Sequence, residues 1–261
     1  MREIDFDLTL TESGQVFHWQ KTRDGRYAAV VNGRIMTDRD GDKEALEYFD
    51  ASRDYSAVEK EAAFFLQAAE AMRLLPGLRV LNQPVWEALI AFILSANNNI
   101  SRIRSLTNAL NETYSDAYTF KGKKYYGFPQ PETLAALDPA ELRKRVTCGY
   151  RAEYLIETAQ MVKRGFDLEA LKHLTVEEAE NELKKLKGVG PKVAQCVLLF
   201  GCGKGDAFPV DVWVARFMEK WFHVTGTPQS VSREGRRIFG SNCGIMQQFM
   251  FHAARTGLIA L

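Results

Sequence analysis

Cysteine is scarce in this chain of 261 residues. The four present, Cys148, Cys196, Cys202 and Cys243, show no paired CxxC spacing, which excludes the usual zinc and iron–sulfur ligand patterns and leaves free thiols as the expectation. Charge of one sign is also missing. Lys and Arg total 34 against 33 Asp and Glu, a formal net charge of +1, so there is no global basic field. Affinity for a polyanion must therefore come from local clusters. No apolar run approaches the roughly 20 residues of a membrane span. The start, Met1-Arg2-Glu3-Ile4-Asp5, is too polar for a secretory leader, so an intracellular location is expected. Low-complexity tracts and long internal repeats are absent as well. What remains, 46% apolar and 26% charged residues, is the composition of an ordinary globular protein.

Residues 5 to 38 read as strands. Asp5 to Leu10 alternates, Gln15 to Trp19 follows a Ser13-Gly14 turn, and Arg26–Val31 and Arg34–Thr37 flank Asn32-Gly33, a strong hairpin signal. From Lys43 the apolar period becomes helical, with a long run from Tyr55 to Leu75 closed by Pro76-Gly77. Beyond residue 79 the pattern predicts helices only: 84–96, 100–114, 131–137, 139–146, 151–164, 176–187, 191–201, 212–222 and 244–256. Residues 118–129 read as a loop. The expected fold is α+β, with an antiparallel sheet and helices over 1–78 and a mostly helical domain over 79–261.

One stretch organises the rest. Leu183 to Lys187 ends a helix, Gly188-Val189-Gly190 turns the chain, and Pro191 begins the next helix. Glycine suits the φ > 0 position past a helix end, and proline suits the first helical position. The product is a helix-hairpin-helix at about 176–201, whose turn presents free N–H groups to a phosphate. Lys184, Lys185 and Lys187 either add salt-sensitive attraction or form a solvated face. Lys192 stands in the first turn of the second helix, where the helix field disfavours a cation and so favours an uncharged, nucleophilic amine. Asp211, nineteen residues on, caps the helix after it and can also stabilise positive charge on a sugar losing its base.

These residues resemble the helix-hairpin-helix DNA glycosylases, and within them the eukaryotic-type 8-oxoguanine DNA glycosylase/AP lyases. The resemblance covers nearly the whole chain: Ser13-Gly14-Gln15-x-Phe17-x-Trp19, Leu94-Ser95-x-Asn97-Asn98-Asn99-Ile100-x-Arg102-Ile103, Tyr126-Gly127-Phe128-Pro129, Gly149-Tyr150-Arg151-Ala152, Leu186 to Cys196, Phe208 to Val212, and Gly244-x-x-Gln247-x-x-x-Phe251. It implies excision of 8-oxoguanine opposite cytosine, followed by β-elimination through a Schiff base on Lys192, with Asp211 stabilising the transition state. It implies a flipped base stacked between Phe251 and Cys196, its edge read by Gln247, with Pro209 in the wall. The Gly14 carbonyl would accept the N7–H that 8-oxoguanine has and guanine lacks. Asn97, Arg102 and Arg151 would hold the orphaned cytosine, Tyr150 would wedge into the gap, and Gly188 and Gly190 would grip a phosphate.

On the residues alone, Cys196 and Phe251 are also ordinary core types, Asn97 to Asn99 also helix caps, and Arg102 and Arg151 also ion-pair partners. The resemblance implies no metal or organic cofactor in the chemistry, although a monovalent cation at the hairpin carbonyls stays open. The expected partner is duplex DNA, with no membrane, and the chain is expected to be a monomer, on the nucleoid in a prokaryote or in the nucleus of a eukaryote. Two departures stand out. Trp213 replaces a histidine expected to touch phosphate, and the four-cysteine cluster of the endonuclease III and adenine-glycosylase branches is missing. Alternatives are a glycosylase for an alkylated or deaminated base, or a DNA-binding module without catalysis.

Overall fold

A computed structural model describes residues 3–261; Met1 and Arg2, part of the polar start on which the absence of a leader was read, lie outside the described residues. The first segment departs from the sequence pattern. Asp5 to Leu10 alternates like a strand but folds as a helical turn that widens into a π-helix, Leu8–Glu12. Asp5 Oδ1 accepts from the Leu8 N–H at 2.9 Å, and the Asp5 N–H donates to the Gly77 carbonyl at 2.9 Å, so the turn is capped and tethered. Leu8, Thr9 and Leu10 are buried in succession. Gln15 to Trp19 is not a ladder strand either. Side chains replace the ladder: Gln15 Nε2 donates to the Arg79 carbonyl, Gln15 Oε1 accepts from the Leu81 N–H, and Gln83 Nε2 donates to the Gln15 carbonyl, each at 2.8 Å.

The sheet proper is three antiparallel strands in the order β1-β2-β3: β1 Gln20–Lys21, β2 Tyr27–Val31 and β3 Arg34–Thr37. Asn32 and Gly33 both have positive φ, 50° and 73°, as a type I′ turn requires. β2 is buried on both faces. Tyr27, Ala29 and Val31 enter a cluster with Trp19, Tyr48 and Phe49, and Ala28 and Val30 meet Tyr125 on the other side. Tyr125 belongs to a second hairpin, β4 Ala117–Phe120 and β5 Lys123–Tyr126, in the stretch expected to be a loop. Lysines on its exposed positions hid the alternation, and its turn, Lys121-Gly122, again has both φ positive.

Helices α1 Lys43–Tyr48, α2 Tyr55–Ala62 and α3 Leu66–Leu74 follow the sheet. The expected single run over 55–75 is broken at Phe65, which leaves the helix to pack against Phe239 at 4.8 Å between ring centroids. α4 Val85–Ser95 is the central element, buried along nearly its whole length, because its sequence is apolar all round. Around it stand α5 Ile100–Tyr114, α6 Pro131–Ala135, α7 Pro139–Val146, α8 Arg151–Lys163, α9 Val176–Leu183, α10 Pro191–Phe200, α11 Val212–Phe222, α12 Pro228–Phe239 and α13 Cys243–Thr256. α12 was not expected, since its charges, serines and Gly235 obscure the period. A single apolar cluster joins Leu8, Phe17 and α2 to α4, α10 and α13, so the main core runs across residue 78. No helix among the described residues is long and apolar enough to cross a membrane.

Candidate active site

The hairpin is built as its glycines require. Gly188 has φ 77°, and a Cβ there would stand 2.4 Å from the Tyr154 ring. Gly190 is different: its φ is −88°, and the space where a Cβ would project is open. That opening leaves room at the N-terminus of α10, where the first-turn N–H groups have no intrahelical partner. Thr158 Oγ1 donates to the Lys187 carbonyl at 3.0 Å and fixes the turn to α8. The hairpin lysines have acidic neighbours: Lys184 with Glu180 at 3.4 Å, Lys185 with Glu182 at 2.6 Å, and Lys187 with Glu157 at 3.9 Å. Those lysines are a paired, solvated face, and the backbone is what the turn offers an anion.

Behind the turn Lys192 points inward. Its Nζ donates to Ser95 Oγ at 3.0 Å and lies 5.1 Å from the Phe92 ring centroid. Ser95 Oγ spends its own proton on the Phe92 carbonyl at 2.7 Å, so only a lone pair faces the amine. Lys192 lines a cleft of about 330 Å³ together with Asp211, Gly14, Cys196, Pro209, Gln247 and Phe251, all sequence-predicted, and with Phe92, Phe200, Val214 and Gln248, which were not. Asp211 Oδ1 accepts from the Trp213 and Val214 N–H groups, both at 2.9 Å, which holds the carboxylate at the mouth of α11. Gln195 ties this loop to the hairpin: its Nε2 donates to Glu180 at 2.7 Å and its Oε1 accepts from the Phe208 N–H at 2.9 Å. Gly244 lets α13 approach the same loop, since a Cβ there would fall 2.1 Å from the Ala207 carbonyl oxygen.

Two features suit this cleft to a flat polar ligand. Gln247 is buried, yet its Oε1 has no hydrogen-bond partner, an unmet acceptor in a site that offers one. Burial pushes the Cys196 thiol up to about 11, against the pull of the Lys192 amine, so it stays neutral and presents a soft face. A wider cleft of about 1180 Å³ opens beside Asn32, Trp86 and Tyr114, but it has no lysine and lies at the other end of α4 from Phe92 and Ser95.

Asn97, Arg102, Tyr150 and Arg151 meet where the loop before α5 faces the loop before α8. Asn97, with φ 52°, donates from Nδ2 to Tyr150 Oη at 3.1 Å. Arg102 bonds the Thr147 carbonyl at 2.8 Å and the Thr147 hydroxyl at 2.9 Å. Arg151 bonds the carbonyls of Ala96 and Cys148 and stacks under Tyr150, 4.5 Å from its centroid. Both arginines bond carbonyls here, which leaves their charge uncancelled by these contacts. Of the three asparagines Asn99 is the cap, taking the Arg102 N–H at 2.9 Å. Tyr150 is 45% exposed, unusual for a large ring, and rests edge-on against the Tyr154 that supports Gly188. Trp213 carries the Arg216 guanidinium 5.3 Å from its ring centroid.

Residues 90–240 match the family model described as HhH-GPD superfamily base excision DNA repair protein. The chain is 29% identical over 246 residues to a probable N-glycosylase/DNA lyase of Methanothermobacter thermautotrophicus, covering 83% of this chain and 76% of that protein. It is 35% identical over 161 residues to the N-glycosylase/DNA lyase of Saccharomyces cerevisiae, covering 57% of this chain and 43% of the yeast protein. A Clostridium acetobutylicum 8-oxoguanine glycosylase/lyase, solved with double-stranded DNA containing cytosine opposite 8-oxoguanine, superposes with a TM-score of 0.90 at 32% identity, over 99% of this chain and 94% of that one.

Proposed function

Because the chain belongs to the HhH-GPD superfamily of base excision DNA repair proteins, we propose that it removes 8-oxoguanine opposite cytosine from duplex DNA and then cleaves the strand as an AP lyase. The observation that carries the reading is Lys192 Nζ, held by Ser95 inside a cleft shared with Asp211, Gln247 and Phe251. The base swings out of the duplex and stacks between Phe251 and Cys196, while Gln247 takes its edge and Pro209 closes the wall. The Gly14 carbonyl accepts the N7–H of the oxidised base; guanine offers a lone pair there and is repelled.

The uncharged amine attacks C1′ and the C1′–N9 bond breaks with its electron pair leaving on the base, which takes up the proton that the new C1′–N bond releases. Asp211 stabilises the positive charge that develops on the sugar. The secondary amine then expels the ring oxygen, giving an imine at C1′. Loss of a C2′ proton eliminates the 3′ phosphate, and water hydrolyses the imine to free Lys192. Gly188 and Gly190 grip the backbone, Tyr150 fills the vacated stack, and Asn97, Arg102 and Arg151 engage the orphaned cytosine. This chemistry needs no metal or organic cofactor, the protein acts as a monomer, and its place is with the genome, on a nucleoid or in a nucleus.

Borohydride tests the reading. Incubated with an 8-oxoguanine:cytosine duplex, the protein should be trapped as a covalent adduct, and Lys192→Gln should yield none while duplex binding is retained. A uracil or methyladenine duplex cleaved in its place, or no adduct at all, would refute it.

A further inference from the structure

The π-helix Leu8–Glu12 ends just before Gly14, and a helix end leaves its last carbonyls without intrahelical donors. Here the three carbonyls of Thr11, Glu12 and Ser13 are met from far along the chain. Arg104 on α5 donates to the Thr11 carbonyl at 2.7 Å, Arg255 at the end of α13 to the Glu12 carbonyl at 2.5 Å, and the buried Gln248 on α13 to the Ser13 carbonyl at 2.9 Å. On the other side Gln83 holds the Gln15 carbonyl at 2.8 Å. Among the described residues, no such donor meets the carbonyl of Gly14, which lies between them, and Gly14 is itself one of the residues lining the cleft. From beneath, the Ile100 side chain approaches so closely that a Cβ on Gly14 would stand 2.6 Å from it.

We propose that Arg104, Gln248 and Arg255 are specificity-determining positioning residues, which fix the three carbonyls before Gly14 so that its own carbonyl faces the imidazole edge of the flipped base. The proposal rests on the reading of Gly14 given above. Two of the three sit on α13 among the residues that hold the base. Gln248 is the neighbour of Gln247, and Arg255 lies one turn past Phe251 with its guanidinium 5.6 Å from that ring. Helix α13 thereby carries both the residues proposed to stack and read the base and two of the three donors that hold the opposing loop, while α5 supplies the third, Arg104. Two positive side chains at a helix C-terminus also suit the sign of its dipole. A carbonyl that tells a proton from a lone pair must keep its distance to a few tenths of an ångström, and misplacement by 1 Å costs on the order of a hundredfold in rate.

An abasic duplex separates this role from DNA grip and from chemistry, because it has no base to read but still needs Lys192. Single-turnover excision of 8-oxoguanine opposite cytosine, and cleavage of an abasic duplex, are measured for the wild type, Arg104→Met, Gln248→Met and Arg255→Met. Each variant is expected to lose about tenfold or more in excision, while abasic cleavage stays within about twofold. Arg255→Lys, which keeps a donor, should recover part of the loss. A parallel fall in abasic cleavage would make the three merely structural or DNA-binding and overturn the inference. Unchanged excision would also overturn it. A wild type that traps on abasic DNA yet excises no 8-oxoguanine overturns the reading of Gly14 and this inference with it, whereas a wild type that excises normally confines any failure to the three side chains.

Discussion

The proposed function gives Asp211 a second task beside its helix cap, and a single substitution can separate the two. Its Oδ1 caps α11 through two N–H bonds, and its charge faces the cleft. Asp211→Asn keeps an acceptor for the cap and removes the charge. Melting should therefore stay near the wild-type temperature while excision falls by about a hundredfold or more. Asp211→Ala loses the cap as well, costing about 1 kcal/mol of stability, and should also melt a few degrees lower. Thermal melts run beside single-turnover assays check both. Lys192 and Asp211 were legible because a lysine just inside a helix and an aspartate just before one are defined by local pattern. Ser95 was not. Its partner Lys192 is 97 positions away, and nothing about a serine at the end of an apolar helix marks it as the acceptor for an amine. Gln248 and Gln195 escaped for the same reason, since their partners are set only by folding.

At the scale of elements, the hairpin glycines differ in kind. Gly188→Ala brings a methyl group onto Tyr154 at a backbone φ of 77°, so it should destabilise by about 1–3 kcal/mol and disturb the neighbouring Tyr150. Gly190→Ala meets no neighbour and an ordinary φ; its fold should melt within a few degrees of the wild type, while affinity for duplex DNA drops because the methyl stands where the proposed phosphate approaches. Melting curves and duplex binding at fixed salt distinguish the two. Helices with signed ends, such as α5, α7 and α11, were readable to the residue because Asn99, Asp138 and Asp211 cap them. Elements whose identity depends on neighbours were misread. The π-helix needs the Gly77 tether, and the β4–β5 hairpin needs β2 behind it.

Across the whole molecule, a buried pair that does not line the cleft contributes to the response to pH. Burial pushes the Glu87 carboxyl up to about 8, while the Asn32 N–H it accepts at 2.8 Å pulls it down and Glu44 adds repulsion. Burial pushes the His18 imidazole, 3.9 Å away, down to about 4. Glu87 is protonated more readily in the fold than in the free chain, so its contribution is full below its ordinary 4.5 and lost as pH rises through about 8. His18 works in the opposite sense: its contribution is present above its ordinary 6.5 and lost as pH falls through about 4. Glu87→Gln keeps an acceptor for Asn32 and removes the ionisation. It should raise the melting temperature above pH 8, by about 2–4 °C for each kcal/mol regained, and leave it unchanged near pH 4.5.

The bond from Arg255 to Glu12 spans 243 positions. On the proposed function, translation therefore delivers Lys192, the hairpin glycines and Tyr150 before the final turn of α13 can pin the segment leading to Gly14. Under that reading, discrimination is acquired only once α13 has folded onto the segment before Gly14, long after that segment was made.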